Sequence, residues 1–142
     1  MIKVVTLQDA ADRLNNFGIN LSAQRIAIMN YLMSNRVHPT AEMVYEALHP
    51  SLPTLSLTTI YNTLRLMVEK GAVKALNGDP CMTRYDVSTE QHAHFYCSRC
   101  GRIFDLSLDM DEFKYAVNVA DMEVEDFELS VRGVCHYCKE RV

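Results

Sequence analysis

No apolar run in this sequence approaches the ~20 residues that a membrane-spanning helix needs, which excludes a helical membrane protein. Asp9 and Asp12 stand where a secretory signal would carry a basic flank and an apolar stretch, so a soluble, cytoplasmic protein is expected. Internal repeats and low-complexity tracts are missing too, which leaves ordinary globular folding. Positive charge is scarce: 14 Lys and Arg face 18 Asp and Glu, for a net charge of −4. Such a balance does not announce a nucleic-acid binder, but it is uneven. Residues 1–80 hold seven Lys or Arg against six Asp or Glu (+1), and residues 81–142 hold seven against twelve (−5). The acid therefore gathers in the second half and keeps that half away from phosphates. At 142 residues the chain can form one domain or two small ones.

Of five cysteines, four fall into two pairs, Cys97-x2-Cys100 and Cys135-x2-Cys138. In a reducing compartment this spacing favours zinc over disulfides, since each pair folds into a knuckle that turns two sulfurs toward one ion. Four thiolates close a tetrahedral structural site, one Zn2+ per chain, with no open position for catalysis. Two redox-active dithiols, or buried inert thiols, are the alternatives. Cys81 stands alone and is read as an incidental thiol.

The first half reads as helices. Thr6 can cap a first helix that runs to about Asn16 and is ended by Gly18. Ser22 can cap a second, with Ile26, Met29, Leu32 and Met33 inward. Thr40 can cap a third, with Met43, Val44, Ala47 and Leu48 inward, before Pro50 and Pro53. The fourth begins near Ser56 and runs to Lys70, with Gly71 just past its end; Ile60, Leu64, Met67 and Val68 form its apolar stripe. Val73–Leu76 and Met82–Val87, joined by Asn77-Gly78-Asp79-Pro80, read as a hairpin. Helices followed by a hairpin outline a winged helix-turn-helix, in which the last helix enters the major groove and the hairpin is the wing. Thr58, Thr59, Tyr61, Asn62 and Arg65 leave the fourth helix away from its apolar stripe, where they can reach bases and phosphates or simply form a solvated face.

Beyond the hairpin, strands are expected at Ala93–Cys97, Arg102–Leu106 and Glu123–Arg132, with a helix over Met110–Ala120. The predicted class is α+β: a winged-helix domain over residues 1–84, a small α/β domain over 85–142, and a hinge at about 83–91. On the strand before the first knuckle, His92 and His94 leave one face, as ligands or as ordinary surface residues. Asp86, Asp105 and His38, in the turn His38-Pro39-Thr40, are further candidates. Imidazole and carboxylate together suit Fe2+, Mn2+ or Zn2+ rather than the soft thiolate set.

These residues, with Leu21-Ser22-Ala23-Gln24-Arg25, Ser56-Leu57-Thr58-Thr59-Ile60-Tyr61-Asn62-Thr63-Leu64-Arg65, His92-Ala93-His94 and Cys97-Ser98-Arg99-Cys100-Gly101, make the chain resemble the ferric uptake regulator family over nearly its whole length. Within that family it is most similar to the peroxide-sensing repressors. The resemblance implies a homodimer, assembled through the C-terminal domain, that binds double-stranded DNA at an A/T-rich pseudo-palindromic operator and represses transcription when its regulatory site is filled. It implies no enzymatic activity and no small organic substrate. It further implies regulatory ligands His38, Asp86, His92, His94 and Asp105 for one Fe2+ or Mn2+ per chain, and DNA contacts from Arg25 and Tyr61. Asp at both 86 and 105 is the peroxide-sensor pattern, where iron sensors typically carry Glu. An additional site common in iron sensors has Gln91, Ala93 and Phe127 at the matching places, none of which supplies the expected ligand. Relatives often carry a basic residue where this chain has Asn15-Asn16. For a peroxide sensor the resemblance makes His38 and His92 the candidates for iron-dependent oxidation. An iron- or zinc-level repressor of uptake genes with the same architecture is the alternative. A zinc hydrolase, for which Glu90 is the nearest base, a thiol oxidoreductase and a zinc-stabilised interaction module are rivals of other classes.

Overall fold

Each of the four N-terminal helices is started by a hydroxyl. In a computed structural model that describes residues 3–79, 81–88, 92–107, 109, 111–113, 121–123, 125 and 127–141, α1 spans Leu7–Asn16, α2 Ala23–Ser34, α3 Ala41–Leu48 and α4 Leu57–Glu69. The N-caps are Thr6, Ser22, Thr40 and Ser56, and each side-chain oxygen accepts the backbone N–H three residues on. At α1 the cap is reciprocal, because the Asp9 carboxylate accepts the Thr6 N–H at 2.9 Å. Gly18 (φ 70°) and Gly71 (φ 82°) take the left-handed conformation that releases the chain from α1 and α4.

The chain divides into two compact units, Met1–Ser88 and Thr89–Val142. In the first, Ala10 and Leu14 of α1, Ile28, Met29 and Leu32 of α2, Val44 of α3 and Ile60, Leu64 and Met67 of α4 pack into one buried core. Three expected inward positions differ. Ala47 is exposed, because α3 buries Ala41 and Val44 and leaves Tyr45 and Leu48 half-buried, a face of i, i+3, i+4 and i+7 spacing that Ala47 falls outside. On α2 the buried face is centred on Ile28 and Met29, so Ile26 and Met33 lie at its margins, half-buried. The unit is completed by an antiparallel hairpin of β1 (Lys74–Leu76) and β2 (Arg84–Asp86), in the register Lys74↔Asp86, Ala75↔Tyr85 and Leu76↔Arg84.

The second unit is a three-stranded sheet in the order β4-β3-β5. β3 (Ala93–Cys97) is antiparallel to β4 (Ile103–Leu106) and parallel to β5 (Ser130–Gly133). Of the strand expected over Glu123–Arg132, residues 130–132 lie in β5, 123, 125 and 127–129 are not in a strand, and 124 and 126 lie outside the described residues. Of the helix expected over Met110–Ala120, residues 111–113 are helical and 114–120 lie outside the described residues. A last short helix, α5, spans His136–Lys139 with Cys135 as its N-cap. No described helix is long and apolar enough to cross a membrane.

Candidate metal centres and recognition helix

The parallel pairing of β3 with β5 brings the two cysteine pairs together. Cys97 ends β3, residues 98–100 turn, and Gly101 (φ 73°) sends the chain back into β4. Phe95 pairs with Val131, and Cys97 with Gly133 two residues before Cys135. A Cβ on Gly133 would lie 3.2 Å from the Phe95 ring, so glycine permits the close approach. The Sγ atoms of Cys97, Cys100, Cys135 and Cys138 all lie within 4.8 Å of one another. Cys100 and Cys135 stand 3.8 Å apart, which matches the edge of about 3.8 Å in a tetrahedron whose sulfurs lie about 2.3 Å from a central zinc.

Protonation chemistry points the same way. Backbone N–H groups of Cys100 and Cys135 donate to the Cys97 sulfur and lower its pKa to about 6. Burial and the neighbouring sulfurs push Cys138 up to about 12. Four sulfurs this close cannot all be thiolates unless a cation offsets their repulsion, so the donor set fits Zn2+. The fifth thiol, Cys81, is exposed at the hairpin turn, where its N–H donates to Asp79 Oδ1 at 2.9 Å.

The imidazole and carboxylate candidates form two sets, one in each unit. In the first, His38 Nε2 lies 3.7 Å from Asp86 Oδ2, and both side chains are buried. His38 takes φ 56°, a left-handed conformation uncommon for a non-glycine residue. It is held from β2: Arg84 donates to the His38 carbonyl at 3.1 Å, and the Tyr85 N–H donates to the Pro39 carbonyl at 3.0 Å. Asp86 Oδ1 accepts the Ser88 N–H at 2.8 Å, which fixes the carboxylate plane.

In the second unit, His94 of β3 pairs with Asp105 of β4, so the strand register itself sets a ligand pair. Asp105 Oδ1 lies 3.2 Å from His92 Nε2 and 3.5 Å from His94 Nε2. The two imidazoles meet edge-on, with ring centroids 4.5 Å apart. Donors about 2.1 Å from a shared ion stand roughly 3.0–3.5 Å from one another, a spacing that the Asp105 contacts have and that the 3.7 Å between His38 and Asp86 slightly exceeds. Sequence reasoning identified the ligand candidates but missed Arg84 and Tyr85, whose supporting contacts leave no periodic signal.

On α4, Thr58, Tyr61, Asn62 and Arg65 are exposed. Thr59 is half-buried and its hydroxyl hydrogen-bonds Ser56 Oγ at 2.9 Å, so it also serves the N-cap. Arg25 Nη1 donates to the Asn20 carbonyl at 2.8 Å, and Arg25, Thr59 and Asn62 share one groove. The Tyr61 hydroxyl donates to the Glu42 carboxylate of α3, which lowers the Glu42 pKa and raises that of Tyr61.

The ferric uptake regulator family model matches residues 16–132. Among curated relatives, the peroxide-responsive repressor PerR of Staphylococcus epidermidis is 39% identical over 136 residues, spanning 94% of this chain and 91% of that protein. Among solved structures, the ferric uptake regulator of Helicobacter pylori, described as revealing three functional metal-binding sites, superposes with a TM-score of 0.79 at 20% identity, covering 99% of this chain and 98% of that one. PerR from Streptococcus pyogenes aligns at 32% identity with a TM-score of 0.50, over 93% of this chain and 92% of its own. On the extent of the family match and the identity of these relatives, the chain belongs to the ferric uptake regulator family.

Proposed function

We propose that the protein is a homodimeric, metal-dependent transcriptional repressor that senses hydrogen peroxide. The observation that carries this reading is the separation of two donor chemistries, a closed four-sulfur cluster and imidazole with carboxylate sets built on Asp86 and Asp105. The thiolates have the role of holding zinc and fixing the second unit. As the family resemblance implies, His38, Asp86, His92, His94 and Asp105 are proposed as the ligands of one Fe2+ or Mn2+ per chain.

An ion that favours one arrangement of the chain by differential affinity would set DNA affinity through that preference. α4 then enters the major groove with Thr58, Tyr61, Asn62 and Arg65, and Arg25 reaches a phosphate or base beside it. Among the described residues β5 lies at the edge of its sheet with Val131 exposed, which supports assembly with a second copy. Two recognition helices related by a two-fold axis call for a pseudo-palindromic, A/T-rich operator.

Bound Fe2+ would lend the electrons that split the O–O bond of peroxide and regain them as the imidazole is oxidised, whereas Mn2+ would occupy the same ligands without that chemistry. His38 and His92 offer imidazoles that can accept one oxygen atom, with water as the other product. An oxidised imidazole loses donor capacity, and DNA is released. The test is operator binding by the purified protein with Fe2+, Mn2+ or Zn2+, followed by peroxide. Release with iron alone, with one added oxygen atom on a peptide carrying His38 or His92, is the expected result. Peroxide-insensitive binding that tracks Fe2+ or Zn2+ concentration would instead establish a metal-level repressor.

A further inference from the structure

Arg13 of α1 reaches backbone carbonyls far from it in sequence. Its guanidinium donates to the Ala72 carbonyl through Nη2 at 2.8 Å and Nε at 3.3 Å, and to the Val87 carbonyl through Nη2 at 2.7 Å. Those carbonyls flank the open end of the hairpin: Ala72 lies just before β1 and Val87 just after β2, and the last register pair between them is Lys74↔Asp86. One planar cation therefore ties both hairpin ends to α1. Ala72, Asp86 and Val87 are all buried, so the two carbonyls would otherwise have to find partners out of reach of bulk water. The shape of the group matters, since a guanidinium fork reaches two acceptors at fixed spacing and an ammonium is a compact point charge. Phe17, the residue that caps the end of α1, supports it, with its ring centroid 5.3 Å from the Arg13 Cζ.

We propose that Arg13 is a positioning residue for Asp86: by clamping Ala72 and Val87 it holds the end of β2 where the carboxylate meets His38 in a geometry a divalent cation can use. This rests on the assignment of Asp86 and His38 as ligands. Ser88 completes the arrangement, because its N–H fixes Asp86 Oδ1 while Oδ2 faces the imidazole. Loss of the clamp frees Val87, and with it the backbone that orients both carboxylate oxygens.

The test compares zinc-loaded full-length protein with Arg13→Gln, Arg13→Lys and Asp86→Asn. Three quantities are measured: Mn2+ affinity by titration, the melting temperature without Mn2+, and hydrogen exchange at the Ser88 amide. Arg13→Gln should weaken Mn2+ binding about 10- to 100-fold, the range for residues that orient metal ligands. Arg13→Lys should recover part of that loss, and Ser88 should exchange faster in both variants. Unchanged Mn2+ affinity alongside a lowered melting temperature would overturn the proposal and leave Arg13 a purely structural residue. Should Arg13→Gln fail to fold, unchanged affinity in Arg13→Lys would overturn it equally. If Asp86→Asn binds Mn2+ as tightly as the parent, the ligand assignment itself falls, and the proposal with it.

Discussion

Removing zinc should unfold the second unit and spare the first. Among the described residues, the buried cluster of the second unit consists of Cys97, Cys135 and Cys138, with Phe95, Phe104 and Val134 only partly buried against it. Three partly buried apolar side chains contribute on the order of 1 kcal/mol each, whereas a structural zinc site contributes on the order of 10 kcal/mol. The first unit is built differently: Leu14, Ile28, Met29, Leu32, Leu55, Ile60, Leu64 and Met67 are fully buried, each stabilising it by about 2 kcal/mol. The perturbation is a strong chelator, with metal analysis to verify removal. The assay is hydrogen exchange resolved by segment, in which amides of β3, β4 and β5 should lose protection while α1 to α4 keep theirs. Verified zinc-free protein with β3 to β5 still protected would refute the reasoning, and would mean that contacts other than the metal hold the sheet.

Thiol labelling should find Cys81 alone reactive while zinc is bound. Within the folded cluster Cys138, pushed up to about 12, takes a proton before Cys97, whose pKa is lowered to about 6. The sign follows: lowering the pH toward 6 protonates the sulfurs and speeds loss of zinc to a chelator, and raising it slows that loss. Asp105→Asn should weaken Mn2+ binding at least about tenfold with zinc content unchanged, since Oδ1 faces both His92 and His94; unaltered binding would remove Asp105 from the site. Arg65→Ala, if Arg65 meets a phosphate, should weaken all sequences alike and reduce the salt slope of DNA binding by about one. Thr6→Ala removes the reciprocal cap of α1 and should lower stability by about 1 kcal/mol in denaturant unfolding.

What could be foreseen follows from how local each signal is. The helix boundaries were legible because Thr6, Ser22, Thr40 and Ser56 act within three residues, and Gly18 and Gly71 act at single positions. The cysteine cluster was legible because the x2 spacing predicts its own geometry. Parallel pairing of β3 with β5 was not, because nothing in residues 93–97 or 130–133 encodes which strands become neighbours. Ala47 was misplaced because an eight-residue helix gives too few turns to fix its inward face from periodicity. The left-handed backbone at His38 was hidden for a similar reason: its supports, Arg84 and Tyr85, lie 46 and 47 residues away in sequence and show only in the fold.

Strand β2 links two of the candidate metal ligands, His38 and Asp86, to the proposed DNA-reading surface. A left-handed histidine costs on the order of 1 kcal/mol, so it persists only where the surroundings hold it, and here β2 does so through Arg84 and Tyr85. The same strand ends in Asp86 and forms half of the hairpin proposed as the wing. A groove beside that hairpin is lined by Tyr85, Thr83 and Asn77 together with Tyr61 of α4 and Glu42 of α3. Any force that a bound ion exerts on Asp86 and His38 is therefore delivered to a strand already in the wing, two residues from Arg84 and one from Tyr85. Coupling between metal and DNA within this unit needs no long relay. It requires only that β2 have one preferred placement when its ligands are engaged and a broader set when they are not. Mn2+ should accordingly slow hydrogen exchange at the β1–β2 amides of the DNA-free protein, and exchange there that is indifferent to Mn2+ would show that the ion acts on DNA binding by another route.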